Sequence, residues 1–306
     1  MFVRRRLHRR TTGVPDLRFL LPLQPVVGAL LWMMGAVVSF TVMAVGGREL
    51  SHQLSTFQIL FFRSLIALSF ISLLMFQEGW DQVRTRRAGV HFLRNFSHFC
   101  GQFGWFFAIA YIPLAEVFAI EFTLPIWTVL FATVLLGEKL TPARAAAVVL
   151  GIIGVLLILR PGMSIIHPAA VVIVFSTGAY SLSYIFTKKL VPSESPLCIL
   201  FYMTAMQFCF ATGPAIAKWV TPSAPMWPWL ALVGVTALTS HYCLARAMRL
   251  ADAMVVAPMD LLRLPLVAIV AYLLYDEQVD WIVFSGAALM VAGNYLNVRA
   301  EQRRAA

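Results

Sequence analysis

Charge is scarce in this chain, and negative charge scarcer still. Of 306 residues 12% are charged, and only 14 are Asp or Glu. A soluble domain of this length carries about twice that charged fraction. With 60% of residues hydrophobic, the apolar surface calls for a nonaqueous solvent, which is lipid. Cysteine is also sparse. Cys100, Cys198, Cys209 and Cys243 lie inside apolar runs without CxxC spacing. That argues against a disulfide or zinc framework and leaves them as small packing residues. Catalytic signatures are missing as well. There is no HExxH, no GxSxG, no pair of aspartates at helical spacing and no GxxxxGK[ST]. An enzyme or an ATP-hydrolysing machine is therefore not expected, nor is a metal or a cofactor.

What the chain does have is long apolar runs. A helix needs roughly 17–25 residues to cross the hydrocarbon core. Ten segments qualify: 26–45, 57–76, 95–112, 115–136, 145–159, 168–187, 196–217, 226–245, 253–275 and 281–298. Helix breakers separate them, among them Gly46-Gly47, Pro113, Gly137 and Pro161-Gly162. The basic stretch Arg4 to Arg10 precedes the first run. That run is long enough to span, and no small-x-small cleavage site follows, so it reads as a membrane helix rather than a removed signal.

The net charge of +10 sits between apolar runs rather than on one face, which argues against nucleic acid as a partner. With the N-terminus placed in the cytoplasm and sides alternating, 19 of the 24 Lys and Arg fall inside, including Arg84, Arg86, Arg87, Arg94, Lys188, Lys189, Arg246 and Arg299. Only Arg48, Arg160 and Lys218 fall outside, while Arg63 and Arg263 lie within spans. This is the positive-inside bias, and it puts both termini in the cytoplasm.

The two halves of the chain resemble each other. A shift of 139 residues puts Ala108 on Ala247, Glu138 on Glu277 and Gly154 on Gly293. Pro125 and Pro265 match one residue out of register. A shift of 143 sets residues 35–44 on 178–187. Each half holds five spans, and an odd number forces the second copy to enter from the opposite side. The expected fold is therefore an all-α membrane protein with ten transmembrane helices as two inverted five-helix repeats. This architecture allows one site to be opened alternately to either face. The expected boundaries are a cytoplasmic tail over 1–25, the first repeat over 26–160, the second over 161–299, and a short cytoplasmic tail over 300–306.

The segments AIAYIPLAEVFAIEFTLPIWTVLFATVLLGEKLT (108–141) and RAAAVVLGIIGVLLILRPG (144–162), with the second copies over 245–277 and 286–296, resemble the drug/metabolite transporter superfamily, of the EamA type. The second copy departs from the pattern, with Asp276-Glu277 in place of Gly-Glu and added charge at Asp260 and Arg263. The resemblance implies a central cavity between the halves and the movement of a small organic solute across the bacterial inner membrane. Export of an amino acid or related metabolite is the preferred expectation. Uptake of a cofactor-like solute such as S-adenosylmethionine or riboflavin is the alternative, and a non-transporting membrane scaffold is a third reading from another class.

Glu121 and Asp260 stand inside spans four and nine, related by the 139-residue shift. A charge near the bilayer centre costs on the order of 3 kcal/mol, so such groups face a cavity or a partner. Proton coupling or contact with a substrate amine is one reading of Glu121, and a fixed ion pair is the other. Arg263, three residues after Asp260, is expected to neutralise it in part. Arg63 is a second buried cation, open to pairing with Glu121, to a substrate carboxylate or to holding helices together. Asn95, His98, Gln102 and Trp105 fall on one face of span three. They suit either solute recognition or interhelical hydrogen bonds. His98 belongs to the one side-chain type that titrates near neutrality. Tyr180 and Tyr184 form a stripe on span six. Pro125 and Pro265 are hinge candidates, since Pro125 leaves the carbonyl of Glu121 without its helical partner. Gly151, Gly154, Gly286 and Gly293 mark close packing on spans five and ten and offer a surface for a homodimer.

Overall fold

A computed structural model describes residues 23–137, 139–160, 166–250, 262–278 and 280–305. Asp260, Glu138 and the basic N-terminal tail lie outside the described residues. The helices are α1 (Leu23–Ser51), α2 (Thr56–Glu78), α3 (Ala88–Tyr111), α4 (Leu114–Glu121), α5 (Leu124–Leu136), α6 (Pro142–Leu159), α7 (Pro168–Leu190), α8 (Pro196–Ala217), α9 (Met226–Leu250), α10 (Arg263–Tyr275) and α11 (Trp281–Ala305). No strand occurs among the described residues. With α4 and α5 as one broken crossing and α10 as the described part of the ninth, these form ten crossings. Seven spans are long and apolar enough to cross by length and composition. Helices α3 and α9 have the length, 24 and 25 residues, but carry the polar stripes.

Local chemistry sets the helix boundaries. Ser55, Thr141 and Ser195 cap α2, α6 and α8 by accepting from the backbone N–H three residues on. Prolines open α6, α7 and α8, where a missing N–H costs nothing. Gly137 ends α5 in the left-handed conformation at φ 68°, and Asp276 ends α10 at φ 55°. These two positions differ by the 139-residue shift. The repeat therefore keeps its backbone even where the second copy has lost the glycine that favours it.

Packing shows how the two copies meet. Helix α1 runs along α9, α3 along α7, α2 along α8, and α6 along α11. All four pairs are antiparallel. Gly28 faces Leu250 while Gly46 faces Val233. Arg94 reaches Thr187 while Gly104 meets Ser176. Gln58 donates to the Val220 carbonyl while Tyr202 donates to that of Val83. Each pair takes one helix from each copy. Exchanging the copies turns α1–α9 into α7–α3 and maps α2–α8 and α6–α11 onto themselves. That is a two-fold relation lying in the membrane plane, as inverted insertion requires.

Helices α6 and α11 approach through their glycines. A Cβ on Gly154 would stand 2.6 Å from the Gly286 carbonyl oxygen, and one on Gly286 would stand 2.7 Å from that of Gly154. Gly293 meets Ala147, and Gly151 meets Ile126. Lipid supplies no hydrophobic drive between helices, so this backbone proximity is itself the adhesive. The small-residue surface that the sequence offers to a second copy is thus occupied within the chain. A homodimer through these helices would have to use outward residues such as Val149, Ile152 and Leu156, which are exposed. Gly154→Leu is expected to abolish monodisperse protein in detergent, because backbone rather than a flexible side chain stands in the way. Gly89→Ala, with nothing within 4 Å of the added carbon, is expected to leave the melting temperature within about 1 °C. Size exclusion and thermal unfolding of the two variants check this.

Candidate functional site

A break in the fourth crossing creates the site. Pro125 has no N–H to give the carbonyl of Glu121, so α4 stops there, and Phe122 and Thr123 form a tight turn before α5 starts. The Thr123 hydroxyl bonds that of Thr177 at 2.7 Å, anchoring the turn to α7. Glu121 is thereby the last residue of a short helix, with its carboxylate at the wall of a cavity. Arg263 and Pro265 open α10 at the corresponding place in the second copy.

The cavity is about 910 Å³ and runs along α11 from Phe284 to Val298, about 21 Å at 1.5 Å per residue. Phe40, Phe122, Tyr184, Phe284 and Tyr295 give it aromatic walls, and Ala287, Ala288 and Ala292 make one side smooth. Among the described residues, those of its lining that carry charge are Glu121 and Arg263. Arg263 Nη1 lies 3.5 Å from Glu121 Oε1, and Trp105 Nε1 donates to Glu121 Oε2 at 3.3 Å. The guanidinium also sits over the rings of Phe40 and Phe118, each centroid 5.1 Å away. Arg is the cation suited to this double use, because its flat face accepts aromatic contact while its edge donates.

Beside the cavity lies a buried polar layer. His98 Nδ1 and Gln207 Nε2 are 2.8 Å apart, and the His98 ring meets Tyr180 edge-on at 5.4 Å. Gln102 is 3% exposed, and its Oε1 has no hydrogen-bond partner. Arg63, 4% exposed, is likewise without a partner for Nε.

The sequence expectations divide on this geometry. The α3 stripe does face inward, since Asn95, His98, Gln102 and Trp105 are all buried. Asn95, however, is taken up by Arg94 and by Met206 Sδ, at 2.8 and 3.3 Å, away from the cavity. Tyr184, Pro125 and Pro265 line the cavity, whereas Tyr180 packs against Gly101 in the polar layer. Asp260 and its expected pairing with Arg263 lie outside the described residues; Arg263 is paired with Glu121, which joins the two copies. The pairing of Arg63 with Glu121 is not seen. The α11 wall and Gln207 carry no charge and no motif, and sequence reasoning passed over them. The nearest signal is the run of small residues Gly286-Ala287-Ala288.

One end of the molecule is tied shut. Arg48, at the end of α1, forms an ion pair with Glu277 and donates to the carbonyls of Ile109 and Ile112. Glu277 also accepts the N–H of Leu114 at 2.9 Å, capping the N-terminus of α4. Arg160 pairs with Asp280. The Ile282 N–H and the Arg160 guanidinium hold the Asp280 carboxyl below the usual carboxylate range. The cavity residues Tyr184, Leu244 and Val298 stand toward the opposite end, close to Lys188, Arg246 and Arg299.

Ten crossings in two inverted copies, with a large cavity lined from both copies, define a membrane transport protein. The chain belongs to the EamA-like transporter family, whose sequence profile matches residues 27–160 and again 167–299. It is 25% identical to an S-adenosylmethionine uptake transporter of Rickettsia prowazekii over 92% of this chain and 96% of that protein. It is 30% identical to a riboflavin transporter of Rhizobium johnstonii, covering 92% and 94%. It is 29% identical to the pseudopaline exporter CntI of Pseudomonas aeruginosa, covering 84% and 90%. A solved crystal structure superposes with a TM-score of 0.63 at 18% identity over 91% of this chain and 99% of its own, which shows a shared fold.

Glu277→Gln is expected to leave the Arg48 guanidinium half-paired in a buried setting. The expected cost is about 1–3 kcal/mol, read as a lower melting temperature in detergent. Cysteine-labelling reagents applied to a Cys residue placed at Ile112 are expected to react faster in that variant.

Proposed function

We propose that this protein is a secondary carrier of the inner membrane that takes up a cofactor-like solute bearing a flat ring system and a charged group. The observation that carries this reading is the pairing of aromatic walls with one opposed carboxylate and guanidinium in a single cavity. Phe40, Tyr184, Phe284 and Tyr295 offer faces and edges on which a heteroaromatic ring can stack. Arg263 is placed to receive a carboxylate once Glu121 has taken a proton. The cavity volume falls within the range of small-molecule sites, about 300–1,000 Å³.

On the sequence alone, export of an amino acid is preferred. The aromatic walls, together with the relatives named for S-adenosylmethionine uptake and riboflavin transport, support the cofactor-like solute instead. The basic end of the molecule is read as cytoplasmic by the positive-inside rule. The cavity then stands toward the cytoplasm, and the Arg48–Glu277 and Arg160–Asp280 pairs close the periplasmic end. We read this as the inward-facing conformation of an alternating-access cycle.

Glu121 is proposed as the coupling group. Protonation would weaken the Glu121–Arg263 pair, and the guanidinium would turn to the substrate carboxylate, linking proton and solute at one locus. Proteoliposomes preloaded with S-adenosylmethionine, which carries an adenine ring and a carboxylate, are expected to exchange labelled solute, with a tenfold excess of leucine competing little. Glu121→Gln is expected to bring pH-driven net uptake to background while exchange persists. Full net uptake in that variant would remove the coupling role. No exchange of S-adenosylmethionine, with exchange of leucine intact, would return the reading to amino acids.

A further inference from the structure

At the basic end, three side chains from distant parts of the sequence converge. They are His91 in the first turn of α3, Glu194 in the α7–α8 connection and Cys198 in the first turn of α8. One ligand atom from each lies within 4.8 Å of the others. Cys198 Sγ is 3.2 Å from Glu194 Oε2, and His91 Nε2 is 3.9 Å from the same oxygen. A tetrahedral zinc with Zn–N near 2.0 Å, Zn–O near 2.0 Å and Zn–S near 2.3 Å places its ligand atoms about 3.3–3.5 Å apart. The Cys198–Glu194 separation already matches that spacing, and the His91 ring reaches it by a small inward shift.

The histidine points to a missing ligand. His91 is fully buried, and among the described residues neither ring nitrogen has a partner at hydrogen-bond distance, Nε2 facing the Glu194 carboxylate only at 3.9 Å. An unsatisfied buried polar group costs about 1–3 kcal/mol, so such a ring is retained where something completes it. The surroundings hold the donors in place. The ring of Tyr202 lies against that of His91 with centroids 4.5 Å apart, and its hydroxyl donates to the Val83 carbonyl at 3.0 Å. Thr85 donates to Glu194 Oε1 at 2.7 Å, which leaves Oε2 turned toward the sulfur and the imidazole. Ser195 caps α8 by accepting from the Cys198 N–H at 3.1 Å, fixing where the thiol sits.

We propose that His91, Glu194 and Cys198 form a zinc site that clamps the first repeat to the second at the basic end. Neutral imidazole, one carboxylate and one thiolate balance a divalent cation to zero net charge, which suits a buried location. The thiol proton is released on binding. Sulfur excludes magnesium and calcium, and the mixed N, O and S set is one that zinc accepts. Three protein donors leave the fourth position to water. The site joins α3 to α8, so metal there opposes any motion that separates those helices. The residues are 103 and 4 apart in sequence, so no spacing motif reveals them.

Chelator-treated, reduced full-length protein in detergent is expected to bind one zinc per chain in equilibrium dialysis. Cys198→Ser and His91→Gln are each expected to weaken that binding about tenfold or more. Cobalt added to the wild-type protein is expected to give a thiolate-to-cobalt charge-transfer band in the near ultraviolet. A variant with Cys100, Cys209 and Cys243 all changed to Ser is expected to keep the band, and Cys198→Ser to lose it. Absence of the band in the wild type, or its loss in the triple variant with zinc binding unchanged in Cys198→Ser, overturns the site. None of these readouts depends on the identity of the transported solute.

Discussion

A unit that crosses the bilayer five times begins and ends on opposite sides, and the rest of this molecule depends on that parity. Two such units in tandem lie upside down with respect to each other. Equivalent helices of the two copies then run antiparallel, and the four most extensive cross-copy pairs, α1–α9, α3–α7, α2–α8 and α6–α11, all do so. Lipid does not push helices together, so each pair needs its own means of contact. Between α6 and α11 it is glycine backbone against glycine backbone. Between α3 and α7 it is Gly101 and Gly104 against Tyr180 and Ser176. Toward one end it is the guanidinium of Arg48, shared between Glu277 and two carbonyls. The cavity lies where the fourth crossing breaks between Glu121 and Leu124 and α10 begins at Arg263.

The charges follow from that breakage. A carboxylate and a guanidinium inside the membrane are expensive apart and tolerable together. Ending α4 at Glu121 and opening α10 at Arg263 puts one of each on either side of the same gap, with Trp105 and the rings of Phe40 and Phe118 completing their surroundings. The pair thus holds the copies together and also supplies the polar features of an otherwise apolar chamber. A solute that displaces one half of it alters what joins the repeats, which ties occupancy to the relative position of the two halves.

Much of this was legible in the sequence, and the reasons are particular. The number of crossings follows from apolar length, the inversion from parity and from the 139-residue shift, and the helix break from Pro125. The inward face of α3 follows from the spacing of Asn95, His98, Gln102 and Trp105. Partner choice was less visible. Arg263 stands three residues from Asp260, which lies outside the described residues, and the fold brings Glu121 to it from 142 residues away, a contact that local spacing does not reveal. The α11 wall escaped because alanine lines a chamber and packs a helix equally well. The convergence of His91 with Glu194 and Cys198 escaped because it is created wholly by tertiary packing, which brings the start of α3 beside the α7–α8 connection and the start of α8.

The position of each helix pair relative to the two-fold axis has a further consequence. Inverting such a molecule exchanges the roles of its copies, so a contact on the axis survives the exchange while one off the axis is traded for its counterpart. The α6–α11 seam and the α2–α8 seam are of the first kind. They act as bearings, and loosening them weakens both forms alike. The α1–α9 and α3–α7 seams are of the second kind. A side chain altered in only one of them burdens one form and spares the other, so these seams set the resting bias of the carrier.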